Sequence, residues 1–143
     1  IDHLDKLLEN YINAKDALAE DNFEAAYSHL SEFRSEVINN KEMNNHEEHS
    51  EMHAKHHSSM IEAVNKANQA NSISELRSAF RDITVNLDKA LENQGYDQET
   101  LYLQYCPMAF NNEGAHWISD RKKIVNPYMG EKMTTCGKTE KKF

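Results

Sequence analysis

Four sulfur-bearing residues stand in two short pairs near the end of this sequence. Cys106 and Met108 flank Pro107 in "YCPMAF", and Met133 and Cys136 lie together in "GEKMTTCG". Met129 and His116 fall between the pairs. Thiolate and thioether are soft, polarizable donors that select Cu(I) or Ag(I) over hard cations, which prefer oxygen. A thiolate and a thioether from each end of one loop could close a low-coordinate copper site. Its candidate ligands are Cys106, Met108, Met133 and Cys136, with His116 and Met129 as further donors. Pro107 and Pro127 stiffen the loop, and its glycines permit turns that side chains would forbid. Two other readings stay open. The methionines could fill gaps against a core. Alternatively, the cysteines could form a disulfide, which in the chain-entropy view would close a loop of about thirty residues and stabilise by about 3–4 kcal/mol.

A second set of candidate ligands lies upstream in "HEEHSEMHAKHHSSM". On a helix, His46, His49, His53 and His56 share a face with Met60, within roughly 100°. That face continues into Met60, Val64 and Ala67, which are assigned to the core. Imidazoles at such spacing can share a metal ion. They can also titrate as a pH-sensitive patch, or stay solvated on a protruding helix end. His49, His53 and His56 could complete the copper site if the sulfur loop folds back onto their face. Two histidines could instead join Cys106 and Cys136 around zinc, which prefers four nitrogen and sulfur ligands. A thiol enzyme would need a histidine base beside its nucleophile. No hydrolase signature surrounds Cys106, so a non-enzymatic binding role is expected.

The elements that must position these groups are mostly helical. Leu4, Leu7, Leu8, Tyr11, Ile12, Ala14, Leu18 and Ala19 recur at helical spacing, predicting a helix from about Asp2 to Ala19. "DNFE" reads as a capping box, Asp21 with Glu24, opening a second helix with Phe23, Ala26, Tyr27, Leu30, Phe33 and Val37 inward. A third helix is expected from about His46 to Ala70. "SISE" opens a fourth, capped by Ser72 and Glu75. This helix buries Ile73, Leu76, Ala79, Phe80, Ile83, Leu87 and Leu91 and stops at Gly95. The expected architecture is all-α, an antiparallel four-helix bundle over residues 1–95. A turn-rich, mostly irregular segment over 96–143 packs on it through Trp117, Ile118 and Ile124. Its lysine-rich end, "GKTEKKF", reads as a frayed terminus.

Composition narrows the partners. The 143 residues carry a net charge of -8, with 38% apolar residues, four glycines and two prolines. One domain of 1–143 accommodates that length. An acidic chain is a poor ligand for nucleic acid or an anionic membrane. No apolar run is long enough to insert into a membrane. No signal peptide is visible, although Ile1 is not an initiator methionine, so that says little about compartment.

The segments "YLQYCPMAF", "GAHWIS" and "IVNPYMGEKMTTCG", with "YINAKDALAEDN" and "LRSAFRDIT" in the helical part, resemble the DUF3347 family. This is a domain of unknown function found alone and at the C-terminus of periplasmic adaptor subunits of heavy-metal efflux systems. The resemblance implies a periplasmic or otherwise extracytoplasmic domain that handles copper or silver. Its partners would be efflux-pump components or a copper donor or acceptor protein. Cys106, Met108, Met133 and Cys136 stand at the family's sulfur positions. Met129 stands where the family usually has phenylalanine, and His116 where tyrosine or another residue is common, and both changes add a potential donor. If the cysteines were instead bridged, the domain would be a structural module docking onto a pump partner.

Overall fold

Asn22, rather than Asp21, starts the second helix. Its Oδ1 accepts the Ala25 amide at 3.1 Å, the usual means of satisfying an orphan amide in a helix's first turn. Asp21 adopts a left-handed backbone, with φ at 60°, and turns its carboxylate elsewhere. The computed structural model describes residues 2–39, 51–94 and 100–143.

Four long helices follow the expected order: α1 (Asp2–Ala19), α2 (Phe23–Asn39), α3 (Glu51–Asn68) and α4 (Ile73–Gln94). Each packs on its neighbour in the chain. The apolar periodicity explains why. Leu7, Leu8, Tyr11, Leu18, Leu30, Phe33, Val37, Met60, Val64, Leu76, Phe80, Ile83, Leu87 and Leu91 are all buried in one core. The cap at Ser72 forms as read, its Oγ accepting the Glu75 amide at 3.2 Å. Glu75 reaches one residue further back than a capping box requires, to the Asn71 amide at 2.7 Å. The expected starts at His46 and stop at Gly95 lie outside the described residues.

The C-terminal segment corrects the all-α expectation. It holds a three-stranded antiparallel sheet of order β2-β1-β3, formed by β1 (Tyr102–Cys106), β2 (Ala115–Ser119) and β3 (Lys138–Lys142). The protein is therefore mostly helical with a small sheet rather than purely helical. β1 and β2 pair in a continuous register, with Gln104 opposite Trp117 and Cys106 opposite Ala115. The lysine-rich end does not fray, because it is strand β3, paired to β1 with Tyr105 opposite Lys138. An edge strand rich in lysine discourages further pairing. The physical reason for the miss is length scale. Each strand has only five residues: the alternation in "YDQETLYLQY" fits a strand or a helix end equally, and the pairing that decides it is made with other segments of the chain.

The sheet joins the helices through polar as well as apolar contacts. The Tyr11 hydroxyl, 2.6 Å from Thr84 Oγ1, also accepts the Ile118 amide at 3.0 Å. Burial pushes the Tyr11 phenol well above its ordinary range. Lys15 is wholly buried, with Nζ 3.0 Å from Asp16 and 3.3 Å from Ser119 Oγ. Burial lowers its pKa, against the pull of Asp16.

Arg77 on α4 clamps three parts of the chain. Its Nε donates to Pro127 O at 2.7 Å, and Nη2 donates to Leu18 O and Asp21 Oδ1, each at 2.7 Å. Asp21 Oδ2 in turn accepts the Glu131 amide at 3.1 Å. Gly130, at φ +66°, has no room for a side chain, since a Cβ would stand 2.1 Å from Asp21 Oδ1. Arg77→Ala strands these acceptors and is expected to cost about 2–4 kcal/mol, since hydrogen bonds to charged groups are worth more than neutral ones. Urea unfolding would measure the loss. Arg77→Lys is expected to recover little of it, because a point charge lacks the planar fork.

Candidate metal centre

Antiparallel pairing brings the two cysteines together. One step on from the Tyr105–Lys138 pair, the register sets Cys106 level with Gly137 and beside its neighbour Cys136. The two Sγ atoms lie 3.2 Å apart and both thiols are free. That is well beyond a covalent sulfur–sulfur bond of about 2.05 Å and fits a thiol–thiol contact. Cys106 is buried and Cys136 is half-buried, so the pair has an inner and an outer member. Contact with Cys106, and then burial, push the Cys136 thiol above its ordinary pKa.

Gly137 makes the approach feasible. Its φ of +139° suits glycine, and a Cβ there would meet Tyr105 O at 2.9 Å and the Trp117 ring at 3.0 Å. Trp117 is fully buried and packs edge-on to Tyr128, with centroids 6.0 Å apart. Its Nε1 donates to Gln104 Oε1 at 2.9 Å. Gln104 Nε2 lies within hydrogen-bond reach of Arg121 O, Lys122 O and Thr139 Oγ1 at 3.0–3.2 Å. One buried amide thus ties β1 to β2, to β3 and to the segment after β2.

Asn126 anchors the other half of the pair. Its Oδ1 accepts the Tyr128 and Met129 amides at 2.8 and 3.1 Å. Its Nδ2 donates to Cys136 O at 2.7 Å, and its own amide donates to Thr134 O at 2.8 Å. The Cys136 amide donates to Met133 O at 3.0 Å. Asn126 is completely buried. Neither Asn126 nor Gln104 was singled out by the sequence reading. For Asn126 a signal existed, since Asn-Pro is a turn dipeptide whose asparagine bonds nearby amides. For Gln104 there was none.

The other sequence candidates fall as follows. Met108 is 45% exposed just after Cys106, and Met133 is 37% exposed three residues before Cys136. Two candidate thioethers therefore lie at the surface in the segments that carry the thiols. Met129 is half-buried and packs against the core. His116 sits opposite Tyr105, its ring 4.6 Å away, and its Nε2 is 2.7 Å from Glu140 Oε1. Its imidazole is thus engaged by a carboxylate. Residues 40–50, which hold His46 and His49, and the side chains of His53 and His56 lie outside the described part. Met60, Val64 and Ala67, assigned to the core from the sequence, are buried.

The turn between β1 and β2 is unusual. Phe110, Asn111 and Asn112 are successive left-handed residues, at φ 55°, 57° and 71°. Such a conformation costs roughly 1–2 kcal/mol per residue, least for asparagine. Tertiary contacts offset it: the Arg81 guanidinium lies 4.2 Å over the Phe110 ring, and Phe110 is 5.3 Å from Tyr128. This turn carries Met108 and follows directly on Cys106.

The donor set here is soft: two touching thiols, with thioethers nearby in sequence. Among the described residues, no group of three or more histidine, cysteine, aspartate or glutamate side chains could hold a metal ion. Among the described residues, no helix is long and apolar enough to cross a membrane.

No curated protein and no solved structure matches the chain. A family model does match, over residues 7–99, and its description reads "Protein of unknown function (DUF3347)". The matched span takes in the four helices from Leu7 on and ends before β1, so the sulfur-bearing segment lies beyond it. Because the match takes in well over half of the residues, the chain belongs to the DUF3347 family.

Proposed function

We propose that this chain is an extracytoplasmic metal-binding module that carries or buffers Cu(I) or Ag(I), and is not an enzyme. The observation behind this reading is the Cys106–Cys136 thiol pair, 3.2 Å between sulfurs. In this proposal the helical bundle is the scaffold, and the sheet delivers both thiolates to one ion. Met108 or Met133 adds a thioether. An uncharged thioether is a weak, exchangeable ligand, which suits a carrier that must release its ion. Heavy-metal efflux components, or a protein that donates or accepts copper, would be the partners.

A Cu(I) titration of reduced protein against a competing chelator tests this. Tight one-to-one binding is expected, weakened about tenfold, or ~1.4 kcal/mol, in the Met108→Leu, Met133→Leu variant. Zinc bound by Cys106, Cys136 and two histidines would ignore those leucines. Absence of Cu(I) binding by the reduced protein would sink the copper reading.

The same sulfur approach supports a second reading, in which Cys106 and Cys136 form a disulfide and the domain docks onto a pump partner. Protein two hydrogens lighter as isolated, which takes up no Cu(I) after reduction, would favour that alternative.

A further inference from the structure

We infer that Asn126 is the positioning residue of the thiol pair, its side-chain amide setting where Cys136 stands against Cys106. As a role within the proposed copper site this rests on that reading, yet the pair can also be probed without metal.

Cys106 has its place from the sheet, as the last residue of β1. Cys136 lies two residues before β3: the β1–β3 register brings it close to Cys106, but no ladder hydrogen bond fixes it there. Its backbone is held at two points: the amide by Met133 O at 3.0 Å, and the carbonyl by Asn126 Nδ2 at 2.7 Å. Met133 is itself exposed and follows a short 3-10 turn, Gly130–Lys132, so it is a weak reference point. Asn126 is a firm one. It is fully buried, and its Oδ1 is fixed by two amides. One of these belongs to Tyr128, which is buried beside Trp117, Phe80 and Phe110 and donates its hydroxyl to His116 O at 2.6 Å. A chain of short bonds therefore runs from β2 through Tyr128 and Asn126 to Cys136.

The residue type follows from this arrangement. The position needs an acceptor on one side and a donor on the other, within one short planar group. Asparagine supplies both. Aspartate has the same shape and keeps the acceptor for Tyr128 and Met129. It would, however, turn an oxygen toward Cys136 O in place of a donor, and two acceptors at hydrogen-bond distance repel. Asn126→Asp thus separates holding the local turn from holding Cys136.

Two readouts test the inference. The first is the equilibrium of the protein dithiol with glutathione disulfide, which yields the protein disulfide and two glutathione thiols. The protein sulfurs lose two electrons and glutathione disulfide gains them. This constant reads how well the two sulfurs are juxtaposed. In Asn126→Asp it is expected to fall about tenfold or more, or about 30 mV for a two-electron couple. The second readout is Cu(I) affinity, expected to fall about 10–100-fold, the usual range when a group that orients a ligand is lost.

Val37→Ala, in the helical core far along the chain from the pair, controls for general loss of stability and should leave both constants unchanged. If the aspartate variant fails to give the wild-type far-ultraviolet circular dichroism, Asn126→Ser replaces it. Its hydroxyl can support the turn but is too short to reach Cys136, so the same falls are expected. Unchanged constants in a folded variant would overturn the inference, as would equal falls in Val37→Ala. If wild-type protein binds no Cu(I) while the glutathione constant still falls in Asn126→Asp, the copper reading fails and the positioning role stands.

Discussion

Replacing Cys106 and Cys136 together by serine is expected to lower Cu(I) affinity by far more than the roughly 10–100-fold typical of a residue that only supports a ligand. Both thiols contribute to the close sulfur contact, and a serine hydroxyl is a hard donor that Cu(I) binds poorly. Each single variant should lose most of the affinity, because one thiolate and neighbouring thioethers make a much weaker site. The pH dependence has a definite sign. A metal-bound thiolate has shed its proton, so copper competes with protons for the pair. Contact with Cys106 holds the Cys136 pKa above the ordinary thiol value, so its proton stays on throughout the neutral range and the ion must displace it. Affinity should therefore weaken as pH falls, by up to about 100-fold per pH unit for two protons released. Competition titrations between pH 6 and 8 would show it. An affinity independent of pH, or retained in the double serine variant, would move the metal away from these cysteines.

Trp117→Ala is expected to be the most damaging substitution for the fold. The ring is fully buried and packs against Tyr128. Truncating a buried tryptophan costs about 3–5 kcal/mol through lost transfer energy and the cavity left behind. Gln104 Oε1, whose Trp117 partner is 2.9 Å away, would also be left without its donor, adding about 1–3 kcal/mol. A domain of ordinary stability has only about 5–15 kcal/mol to lose, so the variant should unfold roughly 10–30 °C earlier. The Gly137 backbone lies against the same ring, so the β1–β3 pairing should loosen first and expose both thiols to alkylation. Trp117→Phe separates the two effects, since it keeps most of the bulk and removes only the hydrogen bond. A melting temperature near wild type for the alanine variant would mean that the sheet contributes little to the stability of the helices.

The helices were legible because their information is local. Leu7, Leu8, Tyr11 and Leu18 mark the buried stripe of α1 by spacing alone, and Ser72 with Glu75 marks the start of α4. A helix closes its hydrogen bonds within four residues, so its inner face and ends can be read from neighbouring positions. Even there one cap moved. Asp21 and Asn22 are both good N-cap residues, and the choice between them was settled by Arg77, 56 positions away, which takes the Asp21 carboxylate.

The sulfur residues were also legible, as chemistry without geometry. Thiolates and thioethers are soft donors wherever they stand, so Cys106, Met108, Met133 and Cys136 could be named from residue type alone. Which of them meet was decided by tertiary structure. β3 pairs with β1 across more than thirty residues, and only that register brings Cys136 to Cys106. Strand pairing has no short-range period, and nothing in "KTEKK" resembles a buried strand, so that end of the chain read as loose. The supports were hidden for the same reason. Asn126 and Gln104 are polar residues that would be ordinary in a loop or on a strand. Burial turned them into anchors, because a buried amide must find partners for its donor and its acceptor together. Sequence by itself determined the helices and which soft donor residues the chain carries. Where the two thiols stand was decided by long-range pairing and by the buried amides that depend on it.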